Sequence, residues 1–386
     1  MEKVKRGQRV RLPPVTASGG LGLDKSLVLA QETEGSVRYQ MLETVRAYAG
    51  ERLAEAGEEQ ALRGRHTAWF LALSEEAEPK LTGAEPGTWL NVLETEHDNL
   101  RAALEESQSR PQGSEASLRL CGALWRFWET RGYLAEGREW CEAALGREQA
   151  TDGTAASAKV WNGAGALAWL QGDYAAARAY YEQSLAIRRE IGDRQGIALS
   201  LNGLGNVAMY QRDYAAARAY FEQSLGIQRE IRDRRGMAAS RLNLGNVAYD
   251  QGNYAAARAY YEQSLEIRRE IGDRQGVAYS LEAFAALASS SGSTGALPAE
   301  KATAPENALF DLQRAPRLWG AAQALREQIG APLPQKNQEE QTERIAKVRV
   351  KLSETEWTAA WEEGMQMTTE QAVAYALEET KEKQRA

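Results

Sequence analysis

Residues 18–26, which read SGGLGLDKS, come within one residue of a phosphate-binding loop. Such a loop needs a glycine, four residues, a second glycine, a lysine and then serine or threonine, so that backbone N–H groups cradle phosphate. Gly19, Lys25 and Ser26 fit, but Asp24 stands at the second glycine and would place a carboxylate against phosphate. The flanks also lack the required strand and helix, because prolines precede the stretch and a hairpin pattern follows it. We therefore predict no nucleotide binding here, and we expect no cofactor.

Histidine and cysteine are the other residue types here that commonly do chemistry. His66 and His97 each lie in a helical pattern beside aromatic or acidic residues, without a serine or cysteine partner motif nearby. We interpret both as surface or interhelical histidines. The two cysteines are too few for a disulfide framework or a zinc site. Since the sequence shows no catalytic or metal-binding constellation, we predict that the chain is not an enzyme.

The composition is that of a folded protein in water. Charged residues make up 26% of the 386 residues and hydrophobic residues 43%. No apolar run reaches membrane-spanning length, and the N-terminus lacks the apolar core of a signal peptide, so we expect a cytoplasmic protein without a membrane partner. The net charge of −7 argues against a DNA-binding surface, which needs an excess of lysine and arginine.

Three nearly identical segments in the middle of the chain determine the fold. The first, QGDYAAARAYYEQSLAIRREIGDRQG, begins at Gln171, and its counterparts begin at Gln211 and Gln251. Both intervals are 40 residues long. A period of this size predicts a solenoid in which each unit packs against its neighbours.

Each unit is predicted to be a pair of helices. The second helix carries an alanine and, four positions later, an aromatic residue, as in Ala177 and Tyr181, and this spacing places both on one face. Gly205 in a first helix lies opposite Ala217 in the second, which lets the two helices approach closely. The candidate N-caps of these helices are Asp173, Asp193, Asp213, Asp233 and Asn253.

These units resemble the tetratricopeptide repeat, in which two small residues and an aromatic residue recur at fixed places. The matching residues are Gly165, Gly205 and Gly245, then Ala177, Ala217 and Ala257, then Tyr181, Phe221 and Tyr261. The repeat's usual proline is absent, and the second helix runs on, which accounts for the longer period. The resemblance implies an all-α, right-handed superhelical solenoid that binds proteins or peptides on its concave side.

Weaker units flank the three clear ones. In LCGALWRFWETRGYLAEGREWCEAAL, Trp125 replaces the close-contact glycine, so we expect looser or different packing. Cys121 and Cys141 face each other in this unit, where reduced, buried thiols are favoured and a disulfide is the alternative. A further unit starts after the third, and the loop composition of residues 291–313 predicts a flexible insertion that splits its two helices.

The flanking segments carry a wider resemblance. WLNVLETEHDNLRAALEES and RLWGAAQALREQIGAPLP, together with the repeats, resemble the C-terminal half of large bacterial signal-transduction ATPases related to AfsR and LuxR-type (maltose-activator-like) transcription regulators. In that family an effector domain and an NTPase domain precede a winged helix and a tetratricopeptide sensor. On this resemblance, LGLDKSLVLAQETEGSVRYQM is the end of the winged helix with its two-stranded wing, and the NTPase core is missing.

The predicted organisation has six parts. They are an unmatched, disordered N-terminus (1–20), a winged-helix remnant with a wing hairpin and exit helix (21–56), a helical connector (57–110), the tetratricopeptide repeats (111–290), the flexible insertion (291–313) and a C-terminal helical cap (314–386).

We expect the working surface to be the concave groove, the inner face that the first helices of the pairs line. Asparagines there offer donors and acceptors to an extended peptide backbone, and aromatic residues offer anchors. The alternative is that Asn206 and Asn246 cap or bridge neighbouring helices. The candidate groove residues are Asn162, Trp169, Asn202, Asn206, Tyr210, Asn243, Asn246, Tyr249 and Asp250.

The leading functional interpretation is a non-enzymatic module that binds a protein or peptide in this groove, as the sensor arm of a regulator. The alternative is a transcription regulator that contacts DNA through the winged-helix remnant, although the acidic balance makes nucleic acid an unexpected partner for this chain alone. Self-association remains open.

Overall fold

The structure, a computed structural model, describes residues 28–33, 36–83, 85–109, 114–146, 153–291 and 305–383. The predicted disordered N-terminus, the glycine-rich stretch at 18–26 and most of the predicted insertion lie outside these residues. The chain divides into two compact units, Met1–His66 and Thr67–Ala386, which we describe separately.

The first unit contains a β-hairpin and a helix. Strand β1 (Val28–Thr33) pairs antiparallel with β2 (Ser36–Met41), so that Val28 lies opposite Met41. Helix α1 (Glu43–Glu55) follows and has no buried residue. These elements lie where the sequence suggests a wing and an exit helix, but their origin in a winged-helix domain stays a prediction.

Consecutive helices make up the rest of the described chain. They are α2 (Glu59–Ala77), α3 (Pro86–Thr95), α4 (His97–Ser109), α5 (Ser114–Arg131), α6 (Leu134–Leu145), α7 (Ala155–Leu170), α8 (Tyr174–Glu190), α9 (Arg194–Tyr210), α10 (Tyr214–Glu230), α11 (Arg234–Asp250), α12 (Tyr254–Glu270), α13 (Arg274–Ser291), α14 (Pro305–Ile329), α15 (Gln335–Arg349), α16 (Glu354–Gln366) and α17 (Thr369–Lys383). From α5 to α14 they pack as sequential pairs, which confirms the predicted tetratricopeptide solenoid, and α16 packs against α14.

The predicted caps begin the helices of the repeats. The carboxylates of Asp193 and Asp233 accept hydrogen bonds from the backbone N–H groups three residues later, both at 2.9 Å. Asp173, Asp213 and Asn253 do the same at the second helices. Each cap satisfies a backbone donor that the helix cannot satisfy itself. The cap pattern therefore fixes the boundaries of the helical pairs.

Glycine and an aromatic ring hold the two helices of a pair together. A Cβ atom on Gly205 would lie 2.5 Å from Cε1 of Phe221, which is fully buried. Ala217 beside it is also fully buried. The absence of a side chain at residue 205 is what lets the phenyl ring lie against the backbone of α9.

A serine hydrogen bond, which recurs in each repeat and was not predicted, also joins the two helices of a pair. A serine in each second helix donates from Oγ to a backbone carbonyl of the first helix at 2.8 Å. The three bonds are Ser184 to Ala158, Ser224 to Ala198 and Ser264 to Ala238. All three serines are fully buried, so each bond satisfies a hydroxyl that would otherwise cost free energy.

The unit formed by α5 and α6 packs closely rather than loosely. Trp125 packs against the backbone of the next unit, because a Cβ on Gly163 would lie 2.8 Å from its Cβ. Gly137 of α6 replaces the alanine of the other second helices, and the ring of Trp128 lies against its backbone. Of the two expected outcomes, looser or different packing, the structure shows different packing, since a glycine on the facing helix makes room for each tryptophan.

The C-terminal part begins earlier than predicted. Helix α14 starts at Pro305, whereas the loop composition predicted a flexible insertion up to residue 313. Pro316 lies inside α14, although proline is more often found in the first turn of a helix. Helices α13 and α14 form the last pair and share one core with α16 and α17, which includes Phe284, Trp319 and Trp357.

Candidate functional site in the concave groove

Three aromatic side chains form a cluster at the first two clear repeats. Trp169 ends α7, Tyr174 begins α8, and Tyr210 ends α9. The rings of Trp169 and Tyr210 meet edge to face with centroids 5.1 Å apart, and those of Tyr174 and Tyr210 lie 5.8 Å apart. We call these three residues the aromatic cage. Two of them were predicted groove residues.

The ammonium group of Lys336 lies inside the aromatic cage. Its Nζ is 4.5 Å from the ring centroid of Trp169, 4.8 Å from that of Tyr174 and 4.3 Å from that of Tyr210. It donates hydrogen bonds to the backbone oxygen of Trp169 at 3.2 Å and to the hydroxyl of Tyr174 at 2.9 Å. Each cation–π contact of this kind is worth about 0.5 to 2 kcal/mol, depending on how far the cation is desolvated. Lys336 therefore fixes the start of α15 at the C-terminal ends of the first helices α7 and α9.

Two further side chains of α15 continue this contact along the groove. Tyr210 donates from its hydroxyl to Oε1 of Glu340 at 2.8 Å. Burial, and then the negative charge of Glu340, raise the pKa of Tyr210, so the phenol stays protonated as the donor. Arg344 lies over the ring of Tyr249 at 6.0 Å. Lys336, Glu340 and Arg344 are spaced by four residues, so one face of α15 lies along the ends of successive first helices.

Asp250, at the end of α11, lies near Arg344 and adds a negative charge beside α15. Although Asp250 is exposed, the protein around its carboxyl group displaces part of the water and raises the pKa, as does Glu340, while Arg344 and Arg212 lower it. Because the net shift is upward, the carboxylate is held less favourably than in water. Arg344 is the cation of α15 that compensates it, so the groove and the helix carry opposite charges at this point.

The predicted asparagines do not form one exposed ladder. Asn162 is 8% exposed. The Oδ1 atom of Asn246 accepts a hydrogen bond from the hydroxyl of Tyr261 at 2.9 Å, which is the bridging role of the alternative interpretation. Asn206 and Asn243 are half-buried on first helices. A role in ligand binding for these two remains a prediction.

Asn202 joins three helices of the solenoid. Its Nδ2 donates to Oγ of Ser224 at 2.8 Å and to Oγ of Ser240 at 3.1 Å. These partners lie on α10 and α11, so the amide connects two consecutive units from within. Its hydrogen-bonding groups are engaged inside the protein, unlike those expected of a ligand-binding side chain.

Sequence reasoning missed Tyr174 and the whole contribution of α15. Tyr174 has the counterparts Tyr214 and Tyr254, so the sequence gives no reason to single it out. The signal in α15 was the lysine, glutamate and arginine at a spacing of four within QKNQEEQTERIAKVR. That spacing predicts a helical face but does not say which surface the face contacts.

A cavity of about 630 Å³ lies beside α15. Its walls include Gln341 and Ile345 of α15, Trp361 of α16, and the ion pair between Arg326 and Glu282. The helix therefore does not fill the space between itself and the surrounding helices.

The histidine and cysteines considered as candidates for catalysis or metal binding contact neighbouring side chains within the helices. His97 is buried, with Nε2 3.0 Å from Oε1 of Glu136 and its ring against Tyr133. Cys121 and Cys141 are buried free thiols that face each other as predicted, and the pKa of Cys141 is raised by its hydrogen bond with Cys121 and by burial. Within the described part of the chain, no group of three metal-ligating side chains occurs.

Comparison with known proteins supports the repeat assignment. The tetratricopeptide repeat family matches residues 156–230, 196–270 and 236–295. Two curated relatives are "Putative HTH-type transcriptional regulator Mb0914c" of Mycobacterium bovis and "Putative HTH-type transcriptional regulator Rv0890c" of Mycobacterium tuberculosis. Each is 34% identical over 178 residues, which is 44% of this chain and 20% of the relative. The chain thus matches about a fifth of the length of these relatives.

Solved structures show weaker likenesses. The apo form of RapI is 15% identical, with a TM-score of 0.43 over 72% of this chain and 96% of that one. The pilF protein of Pseudomonas aeruginosa is 20% identical, with a TM-score of 0.40 over 73% of this chain and 99% of that one. Among the described helices of the present chain, none is both long enough and apolar enough to cross a membrane.

Proposed function

We propose that this chain is a non-enzymatic module that binds a protein partner in the concave groove. The observation that carries the proposal is that α15 is held on residues predicted to line the groove, through the aromatic cage and the Tyr210–Glu340 hydrogen bond. Tetratricopeptide repeats generally bind proteins or peptides, and their concave faces are the usual binding surface. The groove therefore has both the shape and the side chains to bind a helix.

We further propose that the module is the sensor or interaction arm of a bacterial transcription-regulatory protein in the cytoplasm. The similarity to the mycobacterial regulators supports this proposal. So does the resemblance of the flanking segments to the AfsR and LuxR-type ATPases, in which a tetratricopeptide sensor follows the NTPase domain. Binding of a partner to the groove would be the signal that such an arm receives.

Direct contact with DNA is the alternative function, and the hairpin of β1 and β2 is the observation that favours it. A gel-shift titration of the full chain with and without the hairpin substitution Arg38→Ala separates the two functions. Tight binding that Arg38→Ala weakens would support DNA contact. Absence of a shift at physiological salt is expected if the chain acts through the groove, because its net charge of −7 disfavours phosphate.

Site-specific photo-crosslinking tests the proposed function. A photoreactive residue at Asn206, half-buried on a first helix, should form a crosslinked product with a partner in the native cell extract. The same residue at Ala219, exposed on the second helix of that pair, should not form it. Trp169→Ala together with Tyr210→Ala should reduce the product at Asn206 severalfold, because aromatic anchors carry much of the energy of an interface. Equal crosslinking from both positions would contradict the proposal.

A further inference from the structure

We propose that the aromatic cage is a specific site for the ammonium group of a lysine on a partner helix, and that Lys336 fills it in cis until the partner displaces α15. This inference rests on the proposed function and specifies the chemistry of the partner. The partner is a helix that carries lysine, glutamate four residues later and arginine eight residues later on one face.

The shape of the cage fits a compact cation. Three rings surround Nζ of Lys336 at 4.3 to 4.8 Å, while one backbone oxygen and one hydroxyl accept its N–H groups. An ammonium group has three donors and a small charged head, so two hydrogen bonds and three ring faces satisfy it. A neutral side chain in the same place would leave the carbonyl of Trp169 without this partner and would lose the attraction to the rings.

The cage occurs at one place in otherwise nearly identical repeats. Forty residues after Trp169 and Tyr210 stand Met209 and Asp250, whereas Tyr174 is matched by Tyr214. The equivalent place one repeat later therefore keeps a single tyrosine and loses the other two rings. Two of the three cage residues are therefore specific to this place in the array.

The packing of α15 is that of a replaceable ligand. Among its residues 336–349, Val348 is the only buried one. The helix thus contributes little apolar burial, and the 630 Å³ cavity beside it leaves part of its length without close neighbours. Contacts by Lys336, Glu340 and Arg344 hold it instead. Only Val348 and the partly buried Ile345 join α15 to the C-terminal core, so little apolar surface is exposed when this helix leaves.

Because α15 is tethered to the groove, it competes at a high effective concentration. A partner helix therefore displaces α15 only if it binds the groove much more tightly than α15 does, or if the contacts of α15 with the groove are weakened. This gives a defined test in which a labelled peptide with the sequence of residues 331–352 replaces the unidentified partner. Lys336→Met in the full chain removes the ammonium group but keeps most of the side-chain length.

We expect the full chain carrying Lys336→Met to bind the peptide at least tenfold more tightly than the unchanged chain in fluorescence anisotropy. Lys347→Met is the matched control, because Lys347 is exposed on the same helix, and it should leave the affinity unchanged. Lys336→Gln is a second variant that should behave like Lys336→Met. Circular dichroism on each variant verifies the fold.

The peptide and the cage supply the reciprocal tests. A peptide with Lys336→Met should bind the Lys336→Met chain at least tenfold more weakly than the unchanged peptide does. Adding Tyr210→Ala to that chain should abolish binding, whereas adding Tyr214→Ala should not.

The two proposals fail in different ways. Equal affinity of the lysine and methionine peptides would overturn the ammonium site while leaving a groove that binds helices. Equal affinity of the unchanged and Lys336→Met chains, or no binding to either, would overturn displacement of α15. Crosslinking from Asn206 would then decide separately whether the groove binds a protein at all.

Discussion

Gly205→Leu should destabilise the repeat array by about 3 kcal/mol, the upper part of the range for overpacked cores. The leucine Cβ would lie 2.5 Å from the ring of Phe221, which is fully buried, and buried rings are close-packed by their neighbours. Helices α9 and α10 would have to separate, which also strains the serine bond from Ser224 to Ala198. Urea unfolding followed by circular dichroism measures the loss.

Gly226→Leu is the matched control for this prediction. Gly226 lies in the same helical pair, but a Cβ there would meet no atom within 4 Å. Leucine favours the helix over glycine by about 0.8 kcal/mol, so a small gain in stability is expected. If both variants lose the same free energy of unfolding, the close contact between Gly205 and Phe221 does not hold the pair together.

Gly364→Ala should detach the C-terminal helices, with a local loss of about 3 kcal/mol. A Cβ at this position would overlap the backbone oxygen of Arg317, and a Cβ on Gly320 would overlap that of Trp361. The backbones of α14 and α16 therefore touch, and no side-chain rotation relieves an added methyl group. Since α15 connects these helices, it loses one of its fixed ends.

Hydrogen exchange with mass spectrometry resolves this local effect. Backbone amides of residues 335–366 should exchange faster in Gly364→Ala, while those of α9 to α12 keep their protection. Glu362→Ala is the control, because Glu362 is exposed on the same helix. Unchanged exchange over residues 335–366 would show that the crossing of α14 and α16 tolerates a methyl group.

The repeats could be predicted because their pattern is local. A cap such as Asp193 and a spacing such as Ala177 to Tyr181 act within one or two turns, so the sequence carries the whole signal. The same locality explains the wrong boundary at the insertion. Pro316 favours a helix start by its own geometry, but the helix continues through it back to Pro305.

The contents of the groove could not be predicted in the same way. Asn202 and Asn206 occupy the same helix and have the same chemistry, yet hydroxyls of two other helices engage Asn202. Helix α15 is polar over most of its surface, so its sequence shows no apolar stripe to indicate a docking face. Its position depends on contacts such as Lys336 with Trp169, which lie more than 160 residues apart in the chain.

The central claim is that the concave groove holds a helix, and the exchange rate of α15 tests it most directly. In the full chain, we predict that amides of residues 335–349 exchange at least tenfold faster when Trp169→Ala and Tyr210→Ala remove two rings of the aromatic cage. Tyr214→Ala, one repeat later, should leave the rate unchanged. If α15 exchanges at the same rate with and without the two rings, the groove does not hold this helix and the account is wrong.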